Sequence, residues 1–382
     1  MKIALVTLND STDVHQWSGL QYYIARSLER AGATVYRIGP LQSHWTFAMK
    51  VRRVLYACVR QNYHAIDEPA SLAALGAEAR ALIPADADAV VAVTSLIAAA
   101  LGPLNKPLVS WDDATEAAML GYYPLFKRVS RRTMRQSDAM GRAAVKAVRL
   151  AIYSSEWAAT SARSAFGMPA ESVAVVPFGP NLDQIPESAE VDAAIAARPR
   201  DCCRLLWAGV DWERKGGPLA VAIGHALTDA GVNVELTVVG CTPPSGVVLP
   251  EWVRVEGFIS KRTPEGEARL AGLFSRSHFF VMPSRAEAYG LVYVEAAAFG
   301  VPAVAIQTGG VPTIVLDGHT GLLEPSSSSA APYAARILDL WRDQARYEAM
   351  ARAARRRVDE RLNWDIAGRD VLARVEHLLR QG

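Results

Sequence analysis

The sequence is short of cysteine, of net charge and of long apolar runs, and each shortage excludes something. Its four cysteines, Cys58, Cys202, Cys203 and Cys241, form no Cys-x-x-Cys pair and have no histidine cluster beside them. A zinc site is not expected, and so few thiols suit a reducing cytosol. Lys plus Arg is 41 and Asp plus Glu is 39, a net charge of +2. A chain that neutralises many DNA phosphates carries a larger imbalance, so nucleic acid is not an expected partner. The charge-free stretch between Asp88 and Lys106 is broken by Thr94, Ser95, Gly102 and Pro103. It falls short of the roughly 20 apolar residues of a spanning helix. The opening MKIALVTLND, with one Lys and a short apolar run, is too little for a secretory signal and reads as a buried strand. Neither half opens with Gly-x-Gly-x-x-Gly after its first strand, which disfavours a dehydrogenase.

What is present is a core-forming chain. Hydrophobic residues make up 51% and charged residues 21% of 382, which excludes a mainly disordered protein. At roughly 150 residues per domain this length suggests two domains. Ile3 to Thr7 reads as a strand, Leu20, Ile24 and Leu28 as one helix face ended by Gly32, and Val35 to Ile38 as a second strand. Further strands are expected at 89–93, 107–110, 150–153 and 173–176. A second alternation places strands at 205–210, 234–239, 253–258, 279–283 and 303–306, with helices at 218–230, 265–277 and 291–299. The expected organisation is a doubly wound domain over 1–178, a linker over 179–201 holding one short helix, a second doubly wound domain over 202–360, and a terminal helix over 361–382 packed back on the first domain. The fold class is α/β: two Rossmann-like parallel-sheet domains facing a central cleft, with ligands at the carboxyl ends of the strands. The run Arg355, Arg356 and Arg357 reads as a solvated helix face.

Three strand ends in the second half carry groups suited to an anion or a diol. In the segment Ser284 to Gly300 a helix begins near Gly290, where free backbone N–H groups favour negative charge. Glu287 precedes that helix. Glu295 stands inside it among Leu291, Val292, Val294, Ala296, Ala297, Ala298 and Phe299. A carboxylate there is costly unless paired, and either a ligand diol or a structural salt bridge would satisfy it. In the segment Gly209 to Pro218, Arg214 and Lys215 adjoin Gly216 and Gly217, whose bare backbones allow close approach. Fixed cations beside N–H donors suit a diphosphate, although a plain surface loop would also look like this. It is not a Walker loop, since Gly-x4-Gly-Lys-Ser/Thr is absent. Gly309 and Gly310 offer N–H groups in a third loop, or an ordinary turn.

Together these residues resemble the family 4 retaining glycosyltransferases, which have the GT-B fold, and the likeness is strongest from Leu205 to Leu323. Glu287 and Glu295 stand at the spacing of the family's Glu-x7-Glu motif. Lys215-Gly216 matches its phosphate-binding Lys-Gly, Gly309-Gly310 its Gly-Gly loop, Val173 to Gly179 its end-of-first-domain stretch, and Ser18-Gly19 its amino-terminal glycine loop. Three positions depart: Val210 and Thr313 replace an Arg and a Glu of many members, and Trp111-Asp112-Asp113 stands where some carry a His loop.

The resemblance implies a metal-independent hexosyltransferase moving a sugar from a nucleotide-diphosphate sugar, such as a UDP- or GDP-sugar, to a hydroxyl acceptor (a glycan, a lipid-linked saccharide or a small molecule), with polysaccharide biosynthesis as the setting. Glu287, Arg214 and Lys215 are its expected catalytic residues. Glu295, Gly290, Leu291, Gly309, Gly310, Gly209, Phe258 and Ile259 are its donor-binding set. Acceptor groups are expected from the first domain: His15, Ser18, Gly19, Asp112, Asp113, Ser154 and Glu156, with a loop histidine and helix-capping acids as the plainer readings. No cofactor or metal is expected, and Asp86-Ala-Asp88 reads as a polar turn rather than a metal-binding Asp-x-Asp. A nucleotide-sugar epimerase or hydrolase, or a non-catalytic nucleotide- or glycan-binding protein, are the alternatives on the same scaffold.

One stretch bears on location, expected to be cytoplasmic. Lys127, Arg128, Arg131, Arg132, Arg135, Arg142, Lys146 and Arg149 are offset by Asp138 alone, and Phe47, Val51, Val54, Leu55, Cys58 and Val59 make an amphipathic stripe beside Lys50, Arg52, Arg53 and Arg60. Such a stripe either packs on the core or lies on anionic lipid at the inner face of the plasma membrane.

Overall fold

The computed structural model describes residues 1–261, 263–326 and 328–381. They form two compact units. The first comprises Met1–Asn181 with the helix Trp364–Gln381, and the second Leu182–Asn363.

The first unit is built on β1 (Lys2–Val6), β2 (Thr34–Ile38), β3 (Ala89–Ala92), β4 (Leu108–Asp112), β5 (Leu150–Tyr153) and β6 (Val173–Val175). All pair in parallel in the order β2-β1-β3-β4-β5-β6. β3, β4 and β5 are buried along their whole length, as strands covered by helices on both faces must be. The terminal helix lies against the helix Leu20–Arg30. Its first residue, Trp364, stacks on Tyr23 and Phe178, meets Trp111 edge-on, and donates its indole N–H to Asn181 Oδ1 at 3.1 Å.

The second unit repeats the plan with β7 (Cys203–Ala208), β8 (Val234–Val239), β9 (Val253–Gly257), β10 (Phe279–Val281), β11 (Ala303–Ile306) and β12 (Gly321–Glu324). The parallel order is β12-β11-β10-β7-β8-β9. Strand order therefore reverses between β7 and β10, and the carboxyl ends of those two strands flank the switch point where doubly wound sheets take ligands.

The structure differs from the sequence expectations in three places. The segment assigned to a linker joins the second unit from Leu182 onward, and its short helix, Ser188–Ala197, buries Val191 and Ile195 against Ala351. The strand β12 was not expected. Only four residues long, it ends on the charged Glu324, which is buried and ion-paired to Arg336. The Arg355 to Arg357 run is not simply solvated. Buried Arg355 donates to Ala298 O at 2.7 Å, closing the carboxyl end of the helix Leu291–Ala298, and Arg357 donates to Thr313 O and Ile314 O. Cations are favoured at helix carboxyl ends, where carbonyls lack partners.

Replacing Trp364 by Ala should cost about 3–5 kcal/mol by emptying an aromatic cluster. A methyl group at Gly368 would lie 2.2 Å from Ser27 O, so Gly368→Ala should cost about 1–3 kcal/mol by prising apart the two helices of the first unit. Urea unfolding of both variants measures this, and an unchanged midpoint for Trp364→Ala would refute the anchoring role.

Candidate functional site

In the second unit the loop after β7 descends into a tight turn because Asp211 organises it: its carboxylate accepts from the Arg214 backbone N–H at 3.0 Å and from Arg214 Nε at 3.3 Å. The chain then bends at Gly216, whose φ of 74° is left-handed and whose α-carbon lies where a side chain would meet Pro283 O at 2.2 Å. Only glycine meets both requirements. The helix Gly217–Asp229 follows, with Pro218 in its first turn as expected for a residue without an N–H.

The loop after β10 is pressed against it. Arg285 N–H donates to Arg214 O at 2.8 Å, and Arg214 Nη1 returns to Ala286 O at 2.9 Å. Glu287, 4% exposed, is the common acceptor. Its Oε1 accepts from Lys215 Nζ at 2.5 Å, Ser284 Oγ at 2.8 Å and Arg214 Nη1 at 3.4 Å. The loop after β11 joins through Gly310 N–H, which donates to Glu287 O at 3.2 Å. A side chain at Gly310 would strike Ala288 O at 2.2 Å. The loops after β7, β10 and β11 thus meet at one residue, Glu287, beside the switch point: the first two at its carboxylate and the third at its backbone carbonyl.

The remaining donor-side candidates lie in the same unit, at the ends of β7, β9 and β10. Gly290, with φ of 101°, opens the helix Leu291–Ala298, and the Tyr293 hydroxyl donates to Met282 O at 2.6 Å, tying that helix to the end of β10. Buried Glu295 accepts from Lys261 Nζ at 2.5 Å, so its charge is paired here with a lysine. Lys261 and Ser284 had no role in the sequence reading. Lys261 lies 34 residues from Glu295, and only the fold brings them together. Phe258, 69% exposed, and the half-buried Ile259 follow β9, and Gly209 follows β7.

The first-unit candidates lie on separate elements, at or after the ends of β1, β4 and β5. Trp17, Ser18 and Gly19 are consecutive left-handed residues with φ of 49°, 56° and 81°, held by Asn181 Nδ2, which donates to Ser18 O at 2.7 Å. Non-glycine residues in that region store strain, which structures tend to spend at ligand sites. His15 Nε2 is buried there without a hydrogen bond. Asp112 is engaged elsewhere: its Oδ2 accepts from Ser95 N–H at 2.7 Å and Ser95 Oγ at 3.0 Å, at the start of the helix Ser95–Leu101, and its Oδ1 accepts from Asp113 N–H. Burial raises its pKa. Ser154 Oγ, fully buried, makes no hydrogen bond, whereas Glu156 is exposed at a helix start and faces Arg163. Asp86 accepts from Lys2 Nζ and Tyr36 OH, and Asp88 from Lys2 N–H, which accounts for the Asp-x-Asp.

One residue here carries no sequence signal. Glu116, in the first turn after the N-cap Thr115, reads as an ordinary helix start, yet its Oε2 is sealed without a hydrogen bond. Burial, and then the neighbouring charge of Asp112, push its carboxyl up to about 8.

Comparison with known proteins bears on both units. Residues 261–357 match the profile of the family described as Glycosyl transferases group 1. The D-inositol 3-phosphate glycosyltransferase of Streptomyces avermitilis is 35% identical over 209 residues, covering 51% of this chain and 44% of that relative. Its Arthrobacter namesake is 33% identical over 156 residues, covering 39% and 37%. The chain thus spans about half the length, or less, of these relatives. In structure it is similar to sucrose-phosphate synthase from Thermosynechococcus elongatus, with a TM-score of 0.69 at 19% identity over 100% of both chains. It is also similar to Anabaena HepE in complex with UDP-glucose, with a TM-score of 0.62 at 18% identity over 99% and 100%. The fold, two Rossmann-like parallel-sheet units, is that of GT-B glycosyltransferases.

The Glu116 carboxyl binds its proton more tightly in the folded chain than its ordinary value of 4.5 allows in the unfolded one. Its contribution to stability is therefore full below that value and lost as pH rises toward about 8. Glu116→Gln should melt a few degrees above the parent at pH 9 and level with it near pH 4.5. Equal melting temperatures at both ends would refute the shift.

Proposed function

We propose that this protein is a retaining, metal-independent family 4 glycosyltransferase that moves a sugar from a nucleotide-diphosphate sugar to a hydroxyl acceptor. The observation that carries the proposal is the meeting of Arg214 and Lys215 on Glu287 at the switch point of the second sheet, beside two glycine-led helix starts. Cations in a largely buried site act on a leaving diphosphate far more strongly than they would in water.

In the proposed reaction the bond between the anomeric carbon and the diphosphate oxygen breaks, and Arg214 and Lys215 stabilise the charge that develops on that oxygen. The acceptor hydroxyl forms the new bond on the same face, and its proton passes to the leaving phosphate oxygen. Glu287 accepts hydrogen bonds from the sugar hydroxyls, already oriented by Ser284. No pair of carboxylates of the glycosidase kind is required. Glu295 takes the ribose diol in competition with Lys261. The glycine backbones at 209, 216, 290, 309 and 310 admit the diphosphate. The match of 261–357 to the glycosyl transferase profile supports this reading, and the UDP-glucose complex of HepE supports a UDP-sugar as first donor to try. Acceptor recognition is assigned to the first unit, at the strained loop holding His15, Ser18 and Gly19. The cytoplasm, with its nucleotide sugars, is the proposed compartment.

Thermal melting with UDP-, GDP-, ADP- and dTDP-sugars tests the donor. A ligand at 100 times its dissociation constant adds about 2.7 kcal/mol of stability. Lys215→Ala and Glu295→Ala should each lower transfer by two orders of magnitude or more, about 2.7 kcal/mol of transition-state stabilisation. Melting curves show whether each variant is folded. Full transfer by both folded variants would refute the site, and nucleotide release without any acceptor would make the enzyme a hydrolase.

A further inference from the structure

The stripe on the helix Phe47–Cys58 does not pack on the core. Met49 is the helix's buried side chain. On the other side Phe47, Val54 and Leu55 are 82%, 63% and 61% exposed, and Val59, just past the helix, is 62% exposed. With Val51 they stand at i, i+4, i+7, i+8 and i+12, a single apolar face turned to solvent. A folded chain rarely leaves such a face uncovered unless something else covers it.

A basic rim surrounds this face. No Asp or Glu occurs between Arg30 and Ile66, nor between Ala117 and Ser137. Glu68 locks the two segments together: its carboxylate accepts from Arg132 at 2.6 and 2.7 Å, from Arg52 at 3.3 Å and from the Tyr63 hydroxyl at 2.6 Å. The Arg132 guanidinium holds its carboxyl down at about 2, so the clamp stays charged at any physiological pH. Asn62 reinforces it, donating its side chain to Leu125 O and Lys127 O and its backbone N–H to Arg128 O. Leu125, 62% exposed, thereby joins the apolar surface. Lys50, Arg53, Arg60, Lys127, Arg128 and Arg131 are exposed, and none pairs with a carboxylate among the described residues.

We propose that this face of the first unit is an anionic-lipid docking surface. Its apolar stripe enters the acyl boundary while the unpaired cations meet lipid phosphates. Charge selects this occupant: a second copy would bring the same acid-free basic segments against one another, whereas an anionic bilayer supplies the missing counter-charge and an apolar layer together. The attachment proposed is interfacial; among the described residues no helix is long and apolar enough to cross a membrane. The inference does not rest on the transferase reading, and its test requires no activity.

The full chain is sedimented with vesicles of phosphatidylcholine alone and of phosphatidylcholine mixed with phosphatidylglycerol. Partitioning should be at least roughly tenfold higher on the anionic vesicles and fall as salt is raised. Val54→Asp and the double change Lys50→Gln with Lys127→Gln should each reduce it by roughly tenfold, with unchanged circular dichroism and melting temperature because the side chains are exposed. Absence of binding, equal binding to neutral vesicles, binding undiminished by high salt, or binding indifferent to both variants would overturn the proposal. So would a concentration-dependent dimer that Val54→Asp dissolves, since a second copy would then be the occupant.

Discussion

The second unit depends on one oxygen atom. Glu287 Oε1 accepts from Lys215, Ser284 and Arg214, and through these contacts fixes the loop after β7 against the loop after β10. Taking a carboxylate and two cations out of water costs several kcal/mol per ion, and their attraction returns that only when geometry and additional hydrogen bonds are good. Here a serine hydroxyl adds a third donor to Glu287 Oε1, and a backbone carbonyl, Ala286 O, accepts from the guanidinium. On the proposed reading the arrangement prepares a charged site rather than adding stability. An apolar cluster in the same place would have stabilised the fold at lower cost. A preorganised pair of cations is what a developing anion requires, since nothing has to reorganise when the charge appears.

The same logic reaches outward through backbone contacts. Gly216 and Gly310 lie where any side chain would collide with Pro283 O or Ala288 O, so the three strand-end loops can approach only with glycine at those points. The helix Leu291–Ala298 is held at its start by the Tyr293 hydroxyl on Met282 O and at its end by Arg355 on Ala298 O. Arg355 belongs to the helix Gln344–Glu360, far along the chain, so a residue that never touches the site keeps the site helix in register. Buried Arg198 acts similarly, donating to Phe299 O and Gly300 O.

How much of this was legible in the sequence follows from how local each signal is. Strands buried on both faces write themselves as apolar runs, so most of both sheets could be read directly, as at 89–93 and 279–283. The strand β12 could not, because four residues ending on a charge carry no pattern until Arg336 is seen beside Glu324. The site loops were legible as types of residue: cations beside glycines, a carboxylate before a helix. Their pairing was not. That Glu295 meets Lys261, or that Arg355 is buried, depends on elements brought together by the strand order, and sequence spacing holds no trace of it. Glu116 was invisible for the opposite reason, since its local pattern is so ordinary that only enclosure reveals it.

The two units use charge in opposite ways, and this explains why a net charge of +2 says so little. In the second unit the cations of the candidate site and beside β12 are matched: Arg214 and Lys215 with Glu287 and Asp211, Lys261 with Glu295, Arg336 with Asp317 and Glu324. In the first unit Glu68 pairs with Arg52 and Arg132, while Lys50, Arg53, Arg60, Lys127, Arg128 and Arg131 have no carboxylate partner among the described residues. Unpaired exposed charges of one sign add their fields over about a Debye length, roughly 8–10 Å at physiological salt, and attract extended anionic surfaces rather than single groups. Matched cations thus give specificity at a point, and unmatched ones give adhesion over an area. The clamp at Glu68 uses a single carboxylate to join two basic segments and leaves their remaining charge facing outward.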